Sequence, residues 1–213
     1  MDGKMHKQFA SQMKLFNDST PTENLLPYDG TVNYYGPIIN APHRYYQILL
    51  QQIDWKQDQA IIFGKHITTK RKVAWYGDKE FSYSYSGIQK TASPWNKVLL
   101  ELKELTEKLT GQHFNSCLLN LYHDGSEGMS WHSDAEKQLK KHGAIASLTF
   151  GAERKFSFKH KTTKLKIDVL LENGSLLVMK NETQDHWLHR LPPTTKISNP
   201  RINLTFRTIV EHI

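Results

Sequence analysis

Residues 201–207, Arg201-Ile202-Asn203-Leu204-Thr205-Phe206-Arg207, alternate strictly between polar and apolar side chains. A period of two is the mark of a strand. One face then carries Arg201, Asn203, Thr205 and Arg207, and the other carries Ile202, Leu204 and Phe206. The apolar face requires a core to pack on. The polar face is the unusual one. Two guanidinium forks beside an amide and a hydroxyl match a small dianion, because each fork can hold a carboxylate bidentately.

The same alternation recurs upstream. Ser116–Tyr122 puts Cys117, Leu119 and Leu121 on one face and Leu118, Asn120 and Tyr122 on the other. Further strands are expected at 144–150, 154–160, 165–170, 175–179, 186–191 and on to 210, with a turn at Asn173-Gly174. Many short strands with alternating faces predict a double-sheet jelly roll. Between the first two lie Asp124-Gly125 and Glu127-Gly128, a loop, and then His132-Ser133-Asp134. His-x-Asp places an imidazole and a carboxylate on one face of an extended segment. A second imidazole from further along would complete a three-ligand set. Both His186 and His189 are available, and strand parity does not choose between them. Two histidines and one carboxylate, with the opposite positions open, suit a non-haem Fe(II) oxygenase.

The 213 residues suit one large domain or a domain with a substantial extension. A net charge of +7 and a pI near 9.3 favour a polyanionic partner such as nucleic acid. Cys117 is the sole cysteine, so an intramolecular disulfide is excluded. It sits in an apolar run and reads as core. No apolar run reaches transmembrane length, and Met1–Ala10 lack the apolar stretch of a signal peptide. A cytoplasmic protein is expected.

The first half reads as support. Residues 1–24 are polar and weakly patterned, a tail. Short extended pieces follow over 25–39. Pro42 opens a helix to about residue 55, with Tyr46, Leu49, Leu50 and Ile53 on one face. A strand is expected at 60–63, and Lys70-Arg71-Lys72 reads as a solvated turn. Tyr83 and Tyr85 share one face of a further strand, and aromatics in a basic protein can stack nucleobases. Ser93 as N-cap and Pro94 at the first position start the clearest helix. Its stripe is Trp95, Val98, Leu99, Leu102, Leu105 and Leu109, and Gly111 ends it. Lys137, Lys140, Lys141 and His142 form a basic segment after Asp134.

Taken together, NLYHDGSEGMSWHSDAE (120–136), HWLHRLP (186–192) and PRINLTFR (200–207) resemble the AlkB family of Fe(II)- and 2-oxoglutarate-dependent dioxygenases, over roughly residues 61–210. The resemblance implies a mainly β fold of the α+β kind. A double-stranded β-helix (jelly-roll) core would span 113–213. Residues 25–112 would form an N-terminal extension with helices and a nucleotide-recognition β segment, after the 1–24 tail. The family's W-x-H-x-L-P word falls on Trp187 to Pro192 and selects His189, so that His132, Asp134 and His189 would hold the iron. Arg201 would pair with the distal carboxylate of 2-oxoglutarate, with Tyr122 and Thr205. Arg207 would sit nearer the chelated end, with Asn203 and Asn120, and dioxygen would take the remaining metal position.

The implied substrate is alkylated DNA carrying lesions such as N1-methyladenine or N3-methylcytosine. Such a base must leave the duplex to be reached. Tyr83, Tyr85 and Ser86 fall at the implied lesion pocket, Glu136 beside it, and Phe63 at a finger that enters the base stack. Other readings are a related oxygenase acting on RNA or protein, and a nucleic-acid-binding module without catalysis. A monomer is expected, in the cytoplasm or, in a eukaryote, the nucleus.

Overall fold

The computed structural model describes residues 21, 23–62, 65–85 and 88–210; the side chains at 59–62, 65–67, 83–85 and 88–90 fall outside that description. Phe63 and Ser86 therefore lie outside the described residues, and of Tyr83 and Tyr85 only the backbone is within them. In chain order the elements are β1 (Thr31–Pro37), α1 (Pro42–Gln52), β2 (Lys56–Ile62), β3 (Lys65–Gly77), β4 (Ser82–Tyr85) and β5 (Ile88–Thr91). Then come β6 (Ser93–Pro94), α2 (Lys97–Thr110), β7 (Ser116–Tyr122), β8 (Met129–His132), β9 (Ile145–Gly151) and β10 (Arg154–His160). The chain continues through β11 (Lys166–Leu171), β12 (Ser175–Lys180), α3 (Thr183–His186), β13 (Trp187–Leu191) and β14 (Arg201–Arg207).

The strands form a double-stranded β-helix. An eight-stranded major sheet runs β1-β12-β9-β14-β7-β3-β2, with β6 paired to β3, and a four-stranded minor sheet runs β11-β10-β13-β8. β4 and β5 form a separate pair. The central strand β14 lies between β7 and β9, antiparallel to both. Its apolar residues Ile202, Leu204 and Phe206 are fully buried in the cluster that also holds Leu49, Leu99, Leu102, Cys117 and Leu148. Each such side chain stabilises the fold by about 1.5–3 kcal/mol. That burial fixes the register, so Arg201, Asn203, Thr205 and Arg207 must face the minor sheet.

Four local readings of the sequence change. The long helix begins at Lys97, and its cap is Asn96, whose Oδ1 accepts from the Leu99 N–H at 3.0 Å. Ser93 and Pro94 instead form β6, paired in parallel with Tyr76 and Gly77, because a strand partner competes with the cap there. Lys70-Arg71-Lys72 is no turn but the middle of β3, where Arg71 pairs with buried Asp58. Leu50 is 38% exposed rather than on the buried face, and Ile53 is buried from the extended C-cap that follows α1 rather than from within the helix. His186 closes α3 rather than opening β13.

The loop before β8 is clamped from below. Arg154, 1% exposed, donates to the carbonyls of Asp124 (3.2 Å), Gly125 (3.1 Å), Glu127 (2.9 Å) and Pro192 (2.9 Å). Gly125 passes so close to the 194–197 loop that a Cβ would lie 2.4 Å from the Thr194 carbonyl oxygen. Arg154→Leu strands these carbonyls, and a stability loss of about 3 kcal/mol or more is expected in urea titration. Because the loop leads into His132, loss of metal affinity should accompany it.

Candidate metal centre

His132 ends β8 and His189 lies within β13, and the two are direct partners across the pair. Direct partners share a face, so both rings enter the space between the sheets, with centroids 4.3 Å apart. Asp134 follows two residues past His132. Its backbone N–H donates to Gln184 Oε1 at 2.9 Å, which fixes the chain as it leaves the strand. Asp134 Oδ1 lies 3.7 Å from His132 Nε2 and 4.0 Å from His189 Nε2. The ligand atoms of all three residues lie within 4.8 Å of one another. His132 Nδ1 is 2.8 Å from the Ser130 carbonyl oxygen, which can only accept. The proton therefore sits on Nδ1, and the Nε2 lone pair is turned toward Asp134.

The electrostatics agree with a cation site. Burial pushes His189 down to about 3, against the lesser pull of Asp134, so the ring is neutral at ordinary pH. Burial alone would raise Asp134, but the charges around it, Arg207 first, hold the carboxyl below its usual value. Arg207 Nη2 donates to Asp134 Oδ2 at 2.9 Å. With His189 neutral, Arg207 is the cation that keeps this carboxylate ionised. Two histidines and one carboxylate are the donor set for Fe(II).

These shifts set a pH dependence for the metal-free protein. Between about pH 6.5 and about pH 3 an unfolded chain carries a proton on this histidine that the native chain does not. Stability is therefore present above that window and is lost as pH falls, by at most about 1.4 kcal/mol per pH unit. The Asp134 contribution has the same sign but lies at lower pH. His189→Gln should flatten the unfolding midpoint between pH 6.5 and 4.5 when both metal-free proteins are compared.

A second cluster, Asp29, His160 and His186, has similar spacing. His160 Nδ1 accepts from the Thr162 and Thr163 N–H groups at 3.3 and 3.0 Å, so its Nε2 carries the proton and donates to Asp29. That lone pair is already committed. His186 is exposed and stacks on His160, away from His132 and Asp134.

Beside the first cluster, the polar face of β14 lines a cavity with Asn120, Tyr122, Ser147, Phe156, Met179 and Leu191. Arg201 is 3% exposed. Its Nη2 donates to Thr149 Oγ1 at 2.9 Å and Asn203 Oδ1 at 2.7 Å, and Tyr122 lies 5.6 Å from its Cζ. Asn203 passes the chain on, donating to Thr205 Oγ1 at 2.9 Å. Asn120 is the register partner of Asn203. The buried Nε of Arg201 has no partner, and among the described residues no carboxylate lies within ion-pair range of it. Burial pulls its guanidinium down to about 10. A buried cation without an anion costs several kcal/mol, so this cavity fits a carboxylate ligand.

Glu136 lies on the outer side of the Asp134–Arg207 pair, facing a hollow of about 690 Å³ edged by Lys137, Lys140 and Lys141. Its Oε1 is 4.0 Å from Arg207, and its buried Oε2 has no partner among the described residues. Sequence reasoning missed Thr149, Ser147 and Gln184. Ser147 and Thr149 alternate with Ala146, Leu148 and Phe150 along β9, a signal that was available. Gln184 sits in a one-turn helix with no pattern to mark it.

The family model for the 2OG-Fe(II) oxygenase superfamily matches residues 40–207. The chain is 40% identical over 157 residues to the DNA oxidative demethylase ALKBH2 of Homo sapiens, covering 70% of this chain and 60% of that protein. It is 40% identical over 171 residues to the alpha-ketoglutarate-dependent dioxygenase alkB homolog 3 of Homo sapiens, covering 76% of this chain and 59% of that protein. It thus spans less than two thirds of the length of these relatives. The solved structure of OsALKBH1 matches with a TM-score of 0.51 at 13% identity, over 79% of this chain and 91% of that one, a likeness of fold.

Proposed function

Since the chain belongs to the 2OG-Fe(II) oxygenase superfamily, whose cofactors are Fe(II), 2-oxoglutarate and dioxygen, we propose that it oxidatively demethylates alkylated bases in DNA. The observation that carries the reading is the junction of two sites. The two-histidine, one-aspartate cluster is joined through Arg207 to the strand face that carries buried Arg201, a cation with no carboxylate in ion-pair range among the described residues. The relatives named as DNA oxidative demethylases support the substrate class.

In this reading His132, Asp134 and His189 hold the iron. Arg201 binds the distal carboxylate of 2-oxoglutarate, oriented by Thr149, Asn203 and Tyr122, and Arg207, Thr205 and Asn120 complete the lining. Phe156, Met179 and Leu191 form the apolar part of the cavity lining. Iron with 2-oxoglutarate and dioxygen supplies the oxidising power that hydroxylates a methyl carbon on a ring nitrogen. The hemiaminal so formed on the base collapses: the hydroxyl proton leaves, the C–N bond breaks to release formaldehyde, and its electron pair returns to the ring nitrogen. Glu136 would accept from the exocyclic amine of the flipped base. Tyr83, Tyr85 and Ser86 would flank that base and Phe63 would fill its gap, roles that rest on the sequence resemblance.

Iron-dependent succinate formation, stimulated by a methylated DNA oligonucleotide and not by its unmethylated twin, tests the reading. A methylated RNA arm separates the related RNA activity. Equal succinate from methylated and unmethylated strands would reject a base-methyl substrate.

A further inference from the structure

The outer face of the minor sheet takes no part in the site just described. Register sets Lys159 opposite Lys166 across β10 and β11, and Arg190 opposite Ser157 across β13 and β10. His132 and His189 point inward, so their neighbours Trp131 and Arg190 point outward. The Trp131 ring gathers two of the cations: Lys159 Nζ lies 4.4 Å and Arg190 Cζ 4.6 Å from its centre. Like charges directly opposite on a sheet destabilise it. The acid on this face, Asp168, pairs with Lys155 at 3.0 Å and also feels the charge of Arg190 from beyond ion-pair range. Among the described residues no carboxylate lies within ion-pair range of Lys159, Lys166 or Arg190. The arrangement calls for an outside anion.

Two further features say which anion. The cationic surface reaches the catalytic mouth, because Lys161 Nζ donates to Ser133 Oγ at 3.2 Å, between His132 and Asp134. The face is also charged at its centre, whereas the cores of protein–protein interfaces are depleted of charge. Phosphodiesters want the opposite: fixed cations and no apolar core. Trp131 restrains the lysine and arginine heads in advance, so less side-chain freedom is lost when a phosphate arrives.

We propose that this face is a second, non-catalytic contact for the nucleic-acid strand, gripping phosphates that flank the base in the catalytic site. The proposal rests on the nucleic-acid reading of the substrate above. It is tested by binding alone, with unmethylated single strands of about 25 and about 5 nucleotides followed by fluorescence anisotropy. In the variant Lys159→Gln/Lys166→Gln/Arg190→Gln, affinity for the long strand should fall about tenfold or more at low salt. Its salt dependence should become shallower by about 2, at about 0.7 for each phosphate no longer held. The short strand should bind as before.

Lys166→Gln alone, at an exposed position, should show part of the loss in a protein whose fold is undisturbed. Asp168→Asn frees Lys155 and should tighten the long strand. Unchanged long-strand affinity, or equal losses at both lengths, overturns the proposal. Length-dependent binding by a protein that releases no formaldehyde would instead overturn the demethylase reading and leave this surface standing.

Discussion

Alanine at His132, Asp134 or His189 should lower iron-dependent turnover by more than about a hundredfold, while His186→Ala should retain most of it. The three residues present lone pairs to one point, and their ligand atoms lie within 4.8 Å of one another. His186 belongs to the other cluster, stacked on His160. The tautomer sharpens the test. Ser130 supplies only a backbone carbonyl to His132 Nδ1, so Ser130→Ala should bind metal nearly as the wild type does. Fe(II) titration monitored by succinate formation, with metal content measured on the purified variants, checks all five. Loss of iron in His186→Ala with retention in His189→Ala would reverse the assignment.

The second large effect is expected at Arg201. Arg201→Lys keeps a cation but loses the fork, in which Nη2 alone is anchored by Thr149 and Asn203 while Nε is left for a ligand. The KM for 2-oxoglutarate should rise by about tenfold or more, equal to about 1.4 kcal/mol of binding, with a smaller change in kcat. Arg201→Met removes the buried cation, and with it the cost of keeping a charge there without an anion. That variant should unfold at an equal or higher temperature than the wild type in the absence of 2-oxoglutarate, yet bind the cosubstrate far more weakly. Higher thermal stability with impaired function would mark Arg201 as retained for its ligand. A fall in both would make it a structural member of the sheet.

Much of this arrangement was legible in the chain because β14 and β7 obey a strict period of two. Ile202, Leu204 and Phe206 had to face a core, which left Arg201, Asn203, Thr205 and Arg207 together on the opposite side. The alternation did not reveal that the polar side is also interior, since periodicity is blind to what covers a face. His189 was separable from His186 only through the resemblance. The structural cause is that α3 ends at His186, which breaks the strand parity on which the comparison depended. Ser93-Pro94 carries a stronger capping signal than Asn96, but β3 captures it as a strand partner, a tertiary contact no local pattern records. Gln184 and Arg154 act through backbone groups distant in sequence, Gln184 on Asp134 and Arg154 on the loop before β8. Their partners could not be read from neighbouring residues.

The most direct test is mass spectrometry of a DNA oligonucleotide bearing one N1-methyladenine, incubated with the protein, Fe(II) and 2-oxoglutarate under air. The expected result is loss of the methyl group with one formaldehyde and one succinate per base restored, abolished by Asp134→Ala. Succinate formed without any change in the mass of the oligonucleotide would contradict it.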